Sequence, residues 1–467
     1  MTSEALNPEL SAAPEEFAPD HASFAARNRL VINVLLVSTF VVMLNETAMT
    51  VAIPHLMEAL AVPASAAQWL TTAFLLTMAV VIPVTGFLLQ RMNTRPVFLL
   101  AMALFSTGTL VAAMAPGLEV LVFGRVVQAS GTAIMMPLLM TTVMTLVPPD
   151  QRGKMMGNIS IVMSVAPAVG PVLAGVILNY LDWRMLFVIM LPIALTALAI
   201  GYRMMLNVTT PRYAPLDIFS VVLSAVAFGG IVYGLSAFGV EAGGEAISPV
   251  IPLAVGALTM VAFVWRQLVL QRSEKALLDL RTLKSANFAI SMSMIAILML
   301  AMFGTIILLP IYLVQILHFD TLGTGLLLMP GALLMGLLGP FVGRLYDKVG
   351  PRPLIVPAMF VVTGVLWAMT LLGTDTWWPL ILAGHLVMSV GFAFLFGPLF
   401  TTSLSSINPM LYSHGSALLG SVQQVAGAAG VALFVALMSA QTAALTAAGT
   451  VANEALAAGI RTALVVG

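Results

Sequence analysis

The chain has 467 residues, 60% of them hydrophobic and 8% charged, with a mean hydropathy of +1.05 and zero net charge. Soluble domains carry about 25% charged residues, so this is an integral membrane protein, and the lack of net positive charge argues against nucleic acid as a partner. The absence of cysteine excludes disulfides, thiolate metal sites and cysteine nucleophiles.

Residues 1–29 read as a disordered cytoplasmic tail. Its first 26 residues hold Glu4, Glu9, Glu15, Glu16 and Asp20 but no Lys or Arg, unlike a signal peptide with its basic start and apolar middle. A helix needs about 20 apolar residues to cross a bilayer. Complete spans are predicted near 31–54, 68–89, 96–115, 120–146, 155–180, 184–205, 216–238, 249–270, 287–316, 322–345, 353–372, 378–402 and 414–439. Each ends at Gly, Pro or charged residues. From Ala455 onward another apolar segment begins and stops after about 12 residues, too few to cross. Fourteen spans are therefore expected, the last one cut short.

Lys and Arg collect in cytoplasmic loops, which tests this count. With the N-terminus inside, Arg27, Arg29, Arg91, Arg95, Arg152, Lys154, Arg203 and Arg212 fall on the cytoplasmic side, followed by Arg266, Arg272, Lys275, Arg281, Lys284, Arg344, Lys348 and Arg352. Arg184 and Arg461 fall on the other side, among Glu58, Glu119, Glu241, Glu245, Asp320 and Asp375. The remaining basic residue, Arg125, lies within the fourth span. Asp217 stands at the start of the seventh, where an interfacial place is expected.

The sequence repeats itself. GRVVQASGTAIMMP from Gly124 aligns with GHLVMSVGFAFLFGP from Gly384, and GFLLQRMNTRP from Gly86 aligns with GRLYDKVGPRP from Gly343, at nearly the same shift. Spans 1–6 and 9–14 are thus expected to be copies, with spans 7 and 8 inserted between them. The expected division is 30–206 for the first bundle, 207–275 for the insertion and 276–467 for the second bundle.

Two parallel six-helix halves are the architecture of the major facilitator superfamily, which the chain resembles over residues 30–467. Fourteen spans, the first-helix segment LNETAMTVAIP and the second-helix opening QWLTTAFLL look like the drug:proton antiporter branch with fourteen helices, and within it the lincomycin-resistance-like exporters. The resemblance implies an all-α membrane fold of two pseudo-symmetric bundles. It also implies proton-coupled export of small hydrophobic or cationic compounds by alternating access, from a multi-pass monomer in the cell membrane that uses the proton gradient and no cofactor.

The family loop motif G-x-L-x-D-R-x-G-R-K is well kept in the second half as Gly343, Arg344, Asp347, Lys348, Gly350 and Arg352. There an Asp at a helix junction can accept backbone N–H bonds and latch the cytoplasmic side. The first copy retains Arg91 and Arg95, but Gln90 stands where Asp is expected and Asn93 where Gly is. An ordinary basic turn remains the alternative for both. The antiporter signature of the fifth span survives as Gly170, Pro171 and Gly175, with Ala166 and Ala174 in place of two glycines. Its small residues are expected to pack against a neighbour in the other half.

Arg125 opens the fourth-helix pattern with Gln128 and Gly131. A mid-span arginine costs about 3 kcal/mol unless it finds a partner. Glu46 is the carboxylate in the first half at a matching depth, so a direct or water-bridged pair is expected, the alternative being a permanent structural salt bridge. A free glutamic acid releases its proton near pH 4.3, so a carrier working near neutrality must favour the protonated form by roughly 3.7 kcal/mol more. Burial acts in that sense and a nearby Arg against it. Glu46 is therefore expected to alternate between a paired or substrate-bound state and a protonated one. The usual family Asp position is Asn45, one residue and about 100° away around the helix.

The repeat places Gly304 opposite Glu46 and His385 opposite Arg125. His385 could share protons or simply pack; Gln423 and Gln424 are either cavity groups or interhelical bond partners. Asn45, Met49, Gln128, Met136, Phe303, His385 and Gln423 are the candidate substrate contacts. An ATP-driven pump is rejected because no lysine sits in a phosphate-binding G-x-x-x-x-G-K-[ST] loop. Scattered histidines and one deep Glu make neither a metal site nor a hydrolytic triad, so no enzyme is expected. Export or flipping of an endogenous lipid or metabolite fits the same features.

Overall fold

A lipid interior offers no water to backbone N–H and C=O groups, so each crossing segment must satisfy them internally. The computed structural model describes residues 21–208, 211, 215–238 and 248–466, and no strand occurs among them. Its crossing helices are α1 (His21–Leu60), α2 (Trp69–Arg91), α3 (Thr94–Ala113), α4 (Leu118–Leu146), α5 (Arg152–Tyr180), α6 (Met185–Met204) and α7 (Ile218–Phe238). There follow α8 (Val250–Leu270), α9 (Ala286–Gln315), α10 (Thr321–Val349), α11 (Arg352–Met369), α12 (Trp378–Ser405) and α13 (Tyr412–Ala447). A final α14 (Ala452–Val466) packs back on α13. Thirteen of these are long and apolar enough to cross a membrane.

Of the expected tail, residues 1–20 lie outside the described residues, and helix begins at His21. Arg212, Glu241 and Glu245 also lie outside them. The first span was expected to close at Pro54, yet α1 continues through that proline to Leu60. Eight other crossing helices also hold a proline inside, from Pro83 in α2 to Pro398 in α12. In a membrane bundle the neighbours re-satisfy the freed backbone groups, so proline is weaker punctuation there than in a soluble helix.

The repeat is visible in which helices touch. In the first bundle α1 packs on α5, α2 on α4, α3 on α4 and α3 on α6; adding eight to each label gives the pairs α9–α13, α10–α12, α11–α12 and α11–α14 of the second. The contacts between bundles obey the same exchange, with α5 against α10 mirrored by α2 against α13. The inserted α7 lies over this seam, touching both α2 and α13, while α8 packs on α7. These are two pseudo-symmetric six-helix bundles with a two-helix insertion at their interface.

Small residues allow the helices to approach closely. A Cβ on Gly131 of α4 would strike the Ala101 carbonyl and the Phe105 backbone nitrogen of α3. Gly131→Val is therefore expected to destabilise the first bundle by about 1–3 kcal/mol. A clear fall in the melting temperature of the detergent-purified protein would register it. Gly364→Ala, at a position with nothing within 4 Å, is expected to leave that temperature unchanged.

Candidate translocation site

Three consecutive polar residues on α1 do three different things. Asn45, buried, accepts a hydrogen bond from Nη1 of Arg125 on α4 (3.4 Å). Thr47 turns to α5, its hydroxyl lying 3.4 Å from the Ala166 carbonyl as well as bonding back to Met43 and Leu44. Residues two apart are about 200° apart around a helix, so α1 is gripped from both sides. Glu46 lies between these grips, half-buried, and its Oε2 is enclosed with no hydrogen-bond donor.

Arg125 is held by neutral groups. Nη1 also donates to Gln128 Oε1 (2.6 Å), one turn along α4; Gln128 Nε2 donates to Thr109 of α3 (2.8 Å), whose hydroxyl donates to the Phe105 carbonyl (2.7 Å). The guanidinium lies over the Phe74 ring of α2, 4.0 Å from its centroid, a cation–π contact in a desolvated setting. All four first helices thus contribute to fixing one cation. Of the expected direct or water-bridged Glu46–Arg125 pair, no direct hydrogen bond is formed: Asn45 and Gln128 take the Nη1 donor, and the carboxylate lies within electrostatic reach of the guanidinium.

The other candidate contacts are dispersed. Met49 is buried among Ala52, Leu56 and Leu70, a packing residue, and Met136 is half-buried against the main core. Phe303 is 37% exposed and lies against Gly427 of α13. Gln423 bonds its own helix at Leu419 (3.3 Å). His385 Nε2 bonds the Leu328 carbonyl of α10 (3.1 Å), so it joins α12 to α10 away from the Arg125 cluster. The place that matches Glu46 in the second half, Gly304, is covered by the Phe434 ring, and no second carboxylate stands there.

The two bundles meet closely at the end that carries the basic loops. Asp347 accepts the backbone N–H of Gly153 (2.7 Å) and of Lys154 (2.8 Å), where the first turn of α5 leaves its donors unpaired. A Cβ on Gly153 would meet the Gly343 carbonyl, and one on Gly157 would meet Gly339 and Pro340, so α5 and α10 touch backbone to backbone. Arg152 donates to the Met144 and Val147 carbonyls and to Ser405 Oγ (3.4 Å) and lies over the Tyr412 ring. Thr141 donates to Ser416 (3.2 Å), and Gln90 Nε2 donates to His414 Nε2 (2.7 Å), joining α4 and α2 to α13.

The motif residues divide accordingly. Asp347 and Gly343 take part in the contact between halves; Lys348 is exposed, Arg352 begins α11, and Gly350 ends α10 with φ at 78°, a left-handed backbone that suits glycine. Arg95 instead ties to its own bundle, donating to the Tyr202 carbonyl (2.7 Å), and Arg91 lies over Phe87 of its own helix. Gly170 was expected to pack on the other half. It packs on α1, where a Cβ would meet the Thr47 hydroxyl, the Leu44 carbonyl and the Ala48 nitrogen. The tight crossing to the other half lies lower on α5, at Gly153 and Gly157. Pro171 is half-buried beside it, and Gly175, near the opposite end of α5, has nothing within 4 Å.

Two helical bundles related by a repeat, closed against each other at one end and holding a buried charge cluster between helices, define a membrane carrier. The Major Facilitator Superfamily profile matches residues 35–431, and the chain belongs to that family. It is 38% identical over 442 residues to a lincomycin resistance protein LmrB of Listeria monocytogenes, covering 94% of this chain and 93% of that one. To LmrB of Bacillus subtilis it is 36% identical, covering 87% and 84%. A multidrug resistance protein B homolog of Mycobacterium tuberculosis is 27% identical, covering 80% of this chain and 69% of that one. In fold it is similar to the human organic anion transporter MFSD10 (TM-score 0.64, 16% identity, covering 94% and 97%). It also matches the proton:xylose symporter XylE (TM-score 0.60, 16% identity, covering 95% of each chain). The chain is a transporter and not an enzyme.

Lysine offers a point charge and cannot reproduce a planar group that bonds two amides while stacked on Phe74. Arg125→Lys is expected to fold but to lose roughly tenfold or more in transport rate. Efflux measured at matched expression, beside a thermal melt, would check it.

Proposed function

We propose that this transporter exports hydrophobic or amphipathic drugs, including cations, from the cytoplasm in exchange for protons, with Glu46 as the group that exchanges the proton. The observation that carries this reading is the buried Glu46 Oε2 without a donor, beside an Arg125 already held by Asn45, Gln128 and Phe74. A carboxylate clamped by arginine would be locked in its charged form. One that meets arginine only through space, and is otherwise desolvated, can take up either a proton or a cationic substrate. The resistance proteins named above support drugs as the substrate class.

On the positive-inside pattern, the end where Asp347 caps α5 is cytoplasmic and so is the N-terminus. The arrangement then corresponds to the outward-facing half of an alternating-access cycle. Substrate and proton would exchange places on Glu46, and rocking of the bundles, with the α2–α13 and α5–α10 contacts parting at the closed end, would carry the site from one side to the other. The cell membrane is the compartment where such a cycle exports drugs, and a single chain contains both halves that it needs.

Glu46→Gln keeps the shape and removes the titration. In proteoliposomes with an imposed pH gradient, the variant is expected to lose gradient-driven drug accumulation by roughly tenfold or more, about 1.4 kcal/mol of coupling, while downhill movement persists. Full coupling in the variant would remove Glu46 as the proton carrier. Proton flux stimulated by lipids or metabolites and not by drugs would replace drugs with an endogenous substrate.

A further inference from the structure

The inserted helices have no counterpart in the repeat, yet they carry a connected set of polar groups that runs from half-buried Arg266 and Asp217 to fully buried Ser220 and Gln267. Arg266 of α8 grips Asp217 at the foot of α7 with Nε (2.7 Å) and Nη2 (2.8 Å). The Ser220 hydroxyl donates to the same carboxylate. Gln267, next along α8 and fully buried, donates from Nε2 to Ser220 Oγ (2.9 Å). Its Oε1 accepts the backbone N–H of Leu277 (2.7 Å) and of Leu278 (3.3 Å). Those two donors belong to the linker between α8 and α9 and would otherwise be buried without a partner.

That linker is not a loose connection. Leu277, Leu278, Asp279 and Thr282 are all buried, Asp279 caps the turn Leu280–Lys284 through the Arg281 N–H (2.9 Å), and Ser285 bonds Ser406 at the end of α12 (3.2 Å). It lies beside His414, the residue of α13 that accepts the Gln90 bond from α2. Because Gln90 donates, His414 Nε2 must be the unprotonated nitrogen, leaving Nδ1 to carry the hydrogen, and Nδ1 is buried and makes no hydrogen bond of normal geometry among the described residues. Leu277, Asp279 and Arg281 are the backbone and charged groups that act on this ring. Burial opposes the charge on Asp279, but bonds from the Arg281 side chain and backbone hold its carboxyl below the usual range.

We propose that the inserted pair α7–α8 is a brace on the closed side of the carrier. Gln267 acts as the positioning residue that holds the linker Leu277–Lys284 against His414 and so prolongs the α2–α13 contact. This rests on the alternating-access reading above. In that cycle α2 and α13 must separate, and α7, which touches both, cannot follow both. The linker bonds attach α7 and α8 to the α13 side, so the surface that slips is the one between α7 and α2. The attachment also stays firm where the carrier works. Asp217, held down to about 2 by the bonds from Arg266 first and Ser220 next, is a depressed carboxylate. Its stabilising charge is complete above the free-Asp value near 3.9 and is lost only as pH falls toward 2.

The chain has no native cysteine, so a single pair of introduced cysteines reports without background. Gln151→Cys and Lys348→Cys place spin labels on exposed residues at the closed end of each half. In the full-length protein in nanodiscs, Gln267→Leu is expected to raise the ratio of long to short inter-label distances by roughly threefold to tenfold, what one or two hydrogen bonds are worth. Gln267→Glu, which keeps the acceptor for Leu277 and Leu278, is expected to restore much of the short population. Ser220→Ala, a milder cut of the same chain, should move it in the same direction as Gln267→Leu and serves if that variant fails to fold. An unmoved distribution in Gln267→Leu, or in Ser220→Ala where Gln267→Leu does not fold, overturns the brace. A wild-type protein fixed at one distance with and without drug or pH gradient counts instead against alternating access itself.

Discussion

An arginine at the centre of a helical bundle has to be answered chemically, and much of the first half is organised around that need. Arg125 is answered by two amides and an aromatic face, drawn from α1, α2 and α4, with α3 fixing the second amide through Thr109. A carboxylate partner would have given a stronger pair and a rigid one. Neutral partners take up Nη1 and leave Nε buried without a hydrogen-bond partner among the described residues, so the positive field stays in place, and Glu46 sits in that field without a bond to it. The segment N-E-T on α1 is therefore a division of labour. The outer two residues hold the helix to its neighbours, and the middle one is kept free.

The fold supplies that freedom through backbone contact between small residues. Gly170 lets α5 lie against α1 directly behind the Glu46 segment, while Gly153 and Gly157 bring the lower part of the same helix against α10. One helix thus touches the charge cluster at one level and the opposite bundle at another. A change in how α5 meets α10 would reach α1 through close helix–helix contacts along one helix. Asp347 closes that path at its lower end, because its bonds go to backbone N–H groups at the start of α5 and depend on the axis of the whole helix.

Composition and periodicity made the spans, their number and the repeat legible, since lipid imposes a requirement on every residue of a crossing segment and leaves a long signal. The pairing of bundles followed from the repeat alone. Arg125 and Glu46 could be singled out because charge is rare in such a context. The partner of each could not, because a sequence cannot distinguish Asn45 from its neighbour Glu46 as acceptor when the two differ by 100° of helix rotation. Gly170 was assigned to the wrong neighbour for the same reason: spacing marks a small-residue face without naming what covers it. Gln267 and His414 carried no motif. A buried glutamine on an apolar helix was the available signal, and its meaning lies in bonds to a linker that pattern reading treats as a loop.

The asymmetry of the two halves has an electrical side. Where the first half presents Glu46, the second presents Gly304 under the Phe434 ring, so among the described residues the centre holds a single carboxylate and, on the proposed reading, a single exchangeable charge. Trading one proton for one monovalent cation then moves no net charge across the membrane, and the pH difference alone sets how far such a compound is concentrated. Trading the same proton for a neutral compound moves one charge, and the membrane voltage adds about 2.3 kcal/mol per 100 mV to the driving force. One carrier with one carboxylate would thus draw on two different components of the same gradient, according to the charge of what it carries.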